Sequence, residues 1–279
     1  MKQLDDYSSL ELNEEEAAQV LEALDAREGL LRKLHSNGIK DGIVLPAHAV
    51  RVIISGPEDK ETKSGFGMLQ HLAYGSLNPR IHYLSDKPLS TRLQLAHQLL
   101  NGLKTMKDNH VIHKDIKLEN VFIFEKAENE IECRLADFDE AMVVTDPESQ
   151  FGVRTSEDGS MIESESMGSS FVYHPPEDGA AYREAGERGD YVGAEAIVYQ
   201  SELYAMSNSI LSIILADFIG DDEPEAEQVR KIAKNFNLSD ELTNDLINFA
   251  TDIRKINPLE RITVEQAIER IRVILSKMQ

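Results

Sequence analysis

Three side chains with different chemistry stand close together in the segment VIHKDIKLENVFI, residues 111–123. Asp115 offers a carboxylate, Lys117 an ammonium group and Asn120 an amide oxygen. A carboxylate can accept a hydroxyl proton, an ammonium group can contact phosphate, and an oxygen donor can bind Mg²⁺. Phosphoryl transfer is a reaction that needs these three functions close together, and this segment contains all three. A further carboxylate, Asp137, directly follows a short apolar run.

The segment at residues 111–123 resembles the catalytic loop of protein kinases, whose pattern is H-R-D-x-K-x-x-N. The matching residues are His113, Asp115, Lys117 and Asn120. The resemblance implies that Asp115 is the catalytic base, Lys117 the phosphate contact and Asn120 a metal ligand. It also implies a structural role for His113, which would anchor the loop.

A second resemblance lies downstream, where Asp137-Phe138-Asp139 follows a strand as D-F-G does in kinases. It implies that Asp137 binds the Mg²⁺ that bridges the phosphates. Asp139 departs from the family's glycine, which reaches its backbone conformation without strain. Lys114 departs from the usual arginine, and lysine cannot make the bidentate contact with phosphate that arginine makes.

Three further segments match the family in the expected order. They resemble the end of the activation loop, the start of the buried central helix and the turn before the last helix: GSSFVYHPPE at 168–177, SELYAMS at 201–207 and NPLERIT at 257–263. The resemblance implies a structural ion pair between Glu177 and Arg261. Five ordered matches make coincidence implausible.

The resemblance continues upstream at QHLAYGSL, residues 70–77, which aligns with the hinge between the kinase lobes. It implies that backbone groups of Gln70 and Leu72 bind the adenine of ATP.

The predicted helix at 13–34 takes the place of the kinase αC helix, with Glu22 and Glu28 both open as its ion-pairing glutamate. Lys2 lies where the nucleotide-binding lysine would be expected. A solvated terminal lysine is the alternative interpretation. No Gly-rich hairpin is present before this helix, so we expect a reduced N-lobe.

Apolar periodicity predicts the elements that must position these residues. Residues 139–190 form a long polar segment that we interpret as a loop. Helices are predicted at 13–34, 90–108, 200–214, 240–253 and 264–278, strands at 50–54 and 66–70, and a hairpin from 121–124 and 133–136. This order predicts an α+β, kinase-like fold in two unequal lobes. Residues 1–72 would be the reduced N-lobe and hinge, and 73–279 the largely helical C-lobe.

The composition sets limits on partners and location. The chain has 279 residues and a net charge of −21, which disfavours binding to nucleic acid or an anionic membrane and suits a basic protein substrate. It has one cysteine, Cys133, and no apolar run long enough to span a bilayer. We expect a cytoplasmic protein, or one delivered into a host cytosol if it is a bacterial effector.

The sequence therefore predicts a Ser/Thr protein kinase that uses ATP and Mg²⁺, since Lys117 follows the Ser/Thr pattern. The missing Gly-rich loop and Asp139 leave a second hypothesis open, a pseudokinase that binds nucleotide without turnover. A third is a small-molecule phosphotransferase of the aminoglycoside or choline kinase type, because Asp137-Phe138-Asp139 resembles their D-x-[DE] motif. An activating protein partner could supply the missing groups.

Overall fold

The computed structural model describes residue 29 and residues 48–54, 63–69, 75–125, 130–138, 140–146, 154–155, 161–162, 176–217 and 225–278. These residues fall into two compact units, one ending at Ala73 and the other beginning at Tyr74. Apart from residue 29, the helix predicted at 13–34 lies outside the described residues, as do Lys2, Gln70 and Leu72, so the roles assigned to them stay predictions.

The described strands of the first unit are β1 (His48–Ile54) and β2 (Lys63–Leu69). They form an antiparallel pair in which Arg51 lies opposite Phe66. The β-branched residues that predicted the first of these strands favour extended backbone because they pack well on a pleated surface. Both strands were expected, although each begins before its predicted start.

The second unit has short strands that form small sheets, two of which include strands flanking the loop at 113–120. They are β3 (Gly75–Ser76), β4 (Val111–Ile112), β5 (Val121–Glu125), β6 (Ile131–Leu135), β7 (Met142–Val143), β8 (Arg154–Thr155) and β9 (Met161–Ile162). β5 lies between β3 and β6 in an antiparallel sheet, with Ile123 opposite Cys133. The hairpin predicted at 121–136 is therefore confirmed. β4 pairs with β7, and β8 with β9.

Helices make up most of the second unit's described residues. They are α1 (Leu89–Asp108), α2 (Pro176–Glu187), α3 (Tyr191–Leu215), α4 (Glu225–Asn235), α5 (Asp240–Ile253) and α6 (Val264–Lys277), with 3₁₀ segments at Asn78–Leu84 and Leu118–Asn120. The four helices predicted in this part of the chain are confirmed as α1, α3, α5 and α6. The α+β architecture is confirmed with them.

The interpretation of residues 139–190 as one long loop was wrong at its end, where α2 forms. Proline at its first position is preorganised for a helix. Its buried residues Asp178, Tyr182 and Ala185 follow helical spacing, but the stripe contains a charge. α4 was missed as well, because its buried stripe is short: Val229 and Ala233.

α3 lies at the centre of the second unit's core. It packs against α1 and α2, and buried residues occur on all its faces from Ala194 to Ile214. A helix that is apolar all round is stable only when it is covered by other elements. Within the described part of the chain, no helix has both the length and the apolar character needed to cross a bilayer.

Candidate active site

The loop between β4 and β5 carries the three residues with which the sequence analysis began. Lys117 Nζ lies 2.8 Å from Asp115 Oδ1 and 2.6 Å from Oδ2. Asn120 Nδ2 donates to the Asp115 carbonyl and to its Oδ2, both at 2.9 Å. The Asp115 carboxylate is thus oriented by an ammonium group on one side and an amide on the other.

The Asn120 backbone links this loop to the segment that carries Asp137. The Asn120 carbonyl accepts the N–H of Ala136 at 2.8 Å, and Asp137 is the next residue. Because Asn120 is buried and its amide nitrogen binds Asp115, its amide oxygen is the atom suited to a cation. The backbone bond therefore places Asn120 beside the segment that carries Asp137, and both residues have side-chain oxygen atoms.

Asp137 adopts a left-handed backbone conformation, with φ of 66°. This region is unfavourable for residues other than glycine, and such strain tends to occur at functional sites. The sequence analysis placed the glycine-dependent position two residues later, at Asp139, which lies outside the described residues. The left-handed conformation of Asp137 was not foreseen.

His113 connects the loop that carries Asp115 with the segment that carries Asp137. Its buried ring donates from Nε2 to the Ala136 carbonyl at 3.1 Å and accepts the Asp115 N–H at Nδ1, at 3.3 Å. The ring also packs against Phe138, with centroids 4.6 Å apart. Burial lowers the pKa of His113 to about 4, in agreement with a neutral ring that donates from one nitrogen and accepts at the other.

Glu202 of α3 holds the start of the loop through its backbone. Its Oε1 accepts the N–H groups of His113 at 2.9 Å and Lys114 at 2.7 Å. Burial raises the pKa of Glu202 to about 7, although these hydrogen bonds and the Lys114 charge favour the carboxylate. Sequence analysis aligned Glu202 with the family but assigned it no contact. Its signal was that Glu202 is the one charged residue of the helix predicted at 200–214.

Arg261 was predicted to pair with Glu177. In the structure it binds Asp178, the residue that follows Glu177. Its guanidinium forms a bidentate ion pair with Asp178, at 3.1 and 3.3 Å, and both side chains are inaccessible to solvent. The side chain of Glu177 lies outside the described residues, so its pairing stays a prediction. Asp178 is the carboxylate that the structure places against Arg261.

The described residues contain no group of three or more His, Cys, Asp or Glu side chains arranged to hold a metal ion. Asn120 and Asp137 provide two oxygen donors, which fits Mg²⁺, since this ion commonly takes one or two protein ligands and completes its shell with phosphate and water. A cavity of about 450 Å³ between α5 and α6 contains none of these residues.

Comparison with protein families gives a match to the protein kinase domain over residues 61–271. The match covers well over half of the chain and includes the catalytic-loop segment, Asp137 and Arg261. No curated protein matches the chain significantly.

Proposed function

The chain belongs to the protein kinase family and has a kinase-like α+β fold, and on this premise we propose that it transfers the γ-phosphate of ATP to Ser or Thr hydroxyls of a protein. The observation that carries the proposal is the contact of Asp115 with Lys117 and Asn120, next to the Asn120–Ala136 backbone bond. This arrangement supports the proposal because it holds a carboxylate, an ammonium group and an amide together, beside the segment that carries Asp137.

In this proposal Asp115 orients the substrate hydroxyl and accepts its proton. Lys117 lies against the same carboxylate, where its charge would also favour the incoming γ-phosphate. Asn120 contributes twice, because its amide nitrogen fixes Asp115 while its amide oxygen would be a metal ligand. The proton thus moves to a carboxylate that two neighbours hold in place.

Asn120 and Asp137 would hold Mg²⁺. When bound, this ion would neutralise part of the phosphate charge of ATP. His113 and Glu202 would act through the backbone, since they accept hydrogen bonds from the N–H groups of residues 113–115. Adenine binding by the backbone of Gln70 and Leu72, and phosphate binding by Lys2, belong to the same proposal.

The net charge of −21 suits a basic protein substrate, because opposite charges steer encounter. If the isolated chain has low kinase activity, the proposal includes a protein partner that activates it. The alternatives are a nucleotide-binding pseudokinase and a small-molecule phosphotransferase, and the two experiments below give a distinct result for each.

The test is transfer of radiolabel from γ-labelled ATP to a mixture of basic proteins. Wild type is compared with Asp115→Ala, Asp137→Ala and the exposed-carboxylate control Glu227→Ala. We expect labelling by wild type and the control, and a loss of about 10²-fold or more in Asp115→Ala, the usual scale for removing a general base. Equal labelling by all four proteins would exclude Asp115 as the base.

Calorimetry with ATP and Mg²⁺ separates the alternatives. Metal-dependent binding without transfer would identify a pseudokinase. Labelling of amino sugars or choline, with no protein acceptor present, would identify a small-molecule phosphotransferase. Absence of any metal-dependent nucleotide binding would reject both the kinase and the pseudokinase proposals.

A further inference from the structure

Two side chains, one at the end of β3 and one just after it, bind the residue that precedes Asn120. Ser76 Oγ donates to the Glu119 carbonyl at 2.8 Å, and Asn78 Nδ2 donates to Glu119 Oε1 at 2.6 Å. We refer to Ser76, Asn78 and Glu119 as the clamp. It connects positions about forty residues apart in the sequence.

The clamp lies where the catalytic loop enters β5. Ser76 is opposite Phe122 in the β3–β5 pair, and the N–H of the buried Leu77 donates to the Val121 carbonyl at 2.7 Å. The backbone around Ser76 and Asn78 is therefore fixed by the sheet. Their side chains can act as a stationary support for Glu119.

The part of the loop that the clamp supports is the 3₁₀ segment Leu118–Asn120. Its Asn120 N–H donates to the Lys117 carbonyl at 2.9 Å. Hydrogen bonds of a 3₁₀ turn have poorer geometry than those of an α-helix. A segment as short as this one therefore depends on contacts with other parts of the chain. Glu119 receives two such contacts, one on its backbone and one on its side chain.

A displacement of this segment would move Asn120, and with it the Asp115 carboxylate that Asn120 binds. Misplacement by about 1 Å can cost about 10²-fold in rate. We propose that Ser76 and Asn78 are positioning residues, which through Glu119 fix the Asp115–Asn120 pair for phosphoryl transfer. The catalytic part of this inference rests on the proposed function, whereas the clamp itself does not.

The polarity of the Asn78–Glu119 contact allows a rescue experiment. Asn78→Asp places a carboxylate against the Glu119 carboxylate, and the two repel. Adding Glu119→Gln restores the hydrogen bond in the opposite direction, because the amide nitrogen of residue 119 then donates to the carboxylate of residue 78. Ser76→Ala removes the backbone contact alone, and Asn244→Asp on exposed α5 surface introduces the same charge elsewhere as a control.

The readouts are hydrogen exchange at the amides of residues 117–121 and the kinetic constants with Mg·ATP. We expect faster exchange in Ser76→Ala and Asn78→Asp than in wild type and Asn244→Asp. In Asn78→Asp we expect kcat to fall about tenfold with little change in KM for the protein substrate, and the double variant to recover most of both losses.

Unchanged exchange in both single variants would overturn the clamp. Faster exchange with unchanged kcat, or an equal kcat loss in single and double variants, would overturn its role in catalysis. If wild type transfers no phosphate, the proposed function fails while exchange still decides the clamp. In that case the metal-dependent affinity for ADP decides whether the clamp positions Asn120. We expect this affinity to be weaker in Asn78→Asp and to be restored in the double variant.

Discussion

Asp178 and Arg261 form a bidentate ion pair with both side chains shielded from solvent. Every N–H of the guanidinium has an acceptor, since the carbonyls of Gln200, Lys255 and Ile256 take the donors that Asp178 leaves. A buried charge pair is tolerated when its hydrogen-bonding groups are satisfied in this way. The pair ties the start of α2 to the turn before α6.

Removal of Asp178 should therefore be costly. Asp178→Ala leaves an uncompensated buried guanidinium, so we expect the free energy of unfolding to fall by about 3–5 kcal/mol. Urea unfolding would measure it, with Glu177→Ala as the neighbouring comparison. A larger loss in Glu177→Ala than in Asp178→Ala would favour the pairing predicted from the sequence over the one that the structure contains.

Stability should respond to pH through two buried groups with opposite signs. The pKa of His113 is lowered from 6.5 to about 4, so stability falls as pH falls from 6.5 to 4, because the unfolded chain binds the proton first. The pKa of Glu202 is raised from 4.5 to about 7, so stability falls as pH rises from 4.5 to 7. Between pH 4.5 and 6.5 the two effects oppose each other.

Glu202→Gln should expose the His113 contribution. Glutamine resembles the protonated carboxyl and keeps an oxygen that can accept both backbone N–H groups. Between pH 6.5 and 5 we expect the variant to lose up to about 2 kcal/mol more stability than wild type, from a slope of about 1.4 kcal/mol per pH unit. Urea unfolding across this range measures the difference, and parallel curves would contradict it.

Gly193 is required where α3 begins. Asp190 caps the helix by accepting the Gly193 N–H at 2.9 Å, and a Cβ on residue 193 would overlap that carboxylate. Gly193→Ala should lose the cap and about 1 kcal/mol of stability. Gly179→Ala is the matched control, since a Cβ there meets only the end of the Arg183 side chain at 3.8 Å. We expect that change to be neutral or slightly stabilising by thermal unfolding.

Asn120 and Asp137 should differ in their metal dependence. If Asp137 binds the metal as proposed, Asp137→Ala removes a charged ligand, so we expect Mg²⁺-dependent ATP binding to fall below detection in calorimetry. Asn120→Ala would remove a proposed neutral ligand and the support of Asp115, so binding should weaken by about tenfold while kcat falls by about 10²-fold. Metal-independent binding of equal strength in wild type and both variants would contradict the assignment.

Local sequence determined the elements and the types of the site residues. α5 forms at its predicted bounds because Ser239 caps it and its apolar residues recur at helical spacing. The spacing of Asp115, Lys117 and Asn120 allowed their side chains to meet, and the structure brings them together, because these residues lie within reach of one another along the chain. Signals of this kind are contained in short segments and can be read without the fold.

The tertiary structure decided which distant groups meet. Three contacts depend on how helices and strands pack. They are the ion pair of Arg261 with Asp178, the hydrogen bonds of Glu202 to the backbone of the loop, and the contacts of Ser76 and Asn78 with Glu119. Each contact joins residues that are far apart in the sequence. From the sequence alone, each of these carboxylate or amide groups could have had several polar partners. Packing selects one of them, because burial penalises every polar group left without a hydrogen bond.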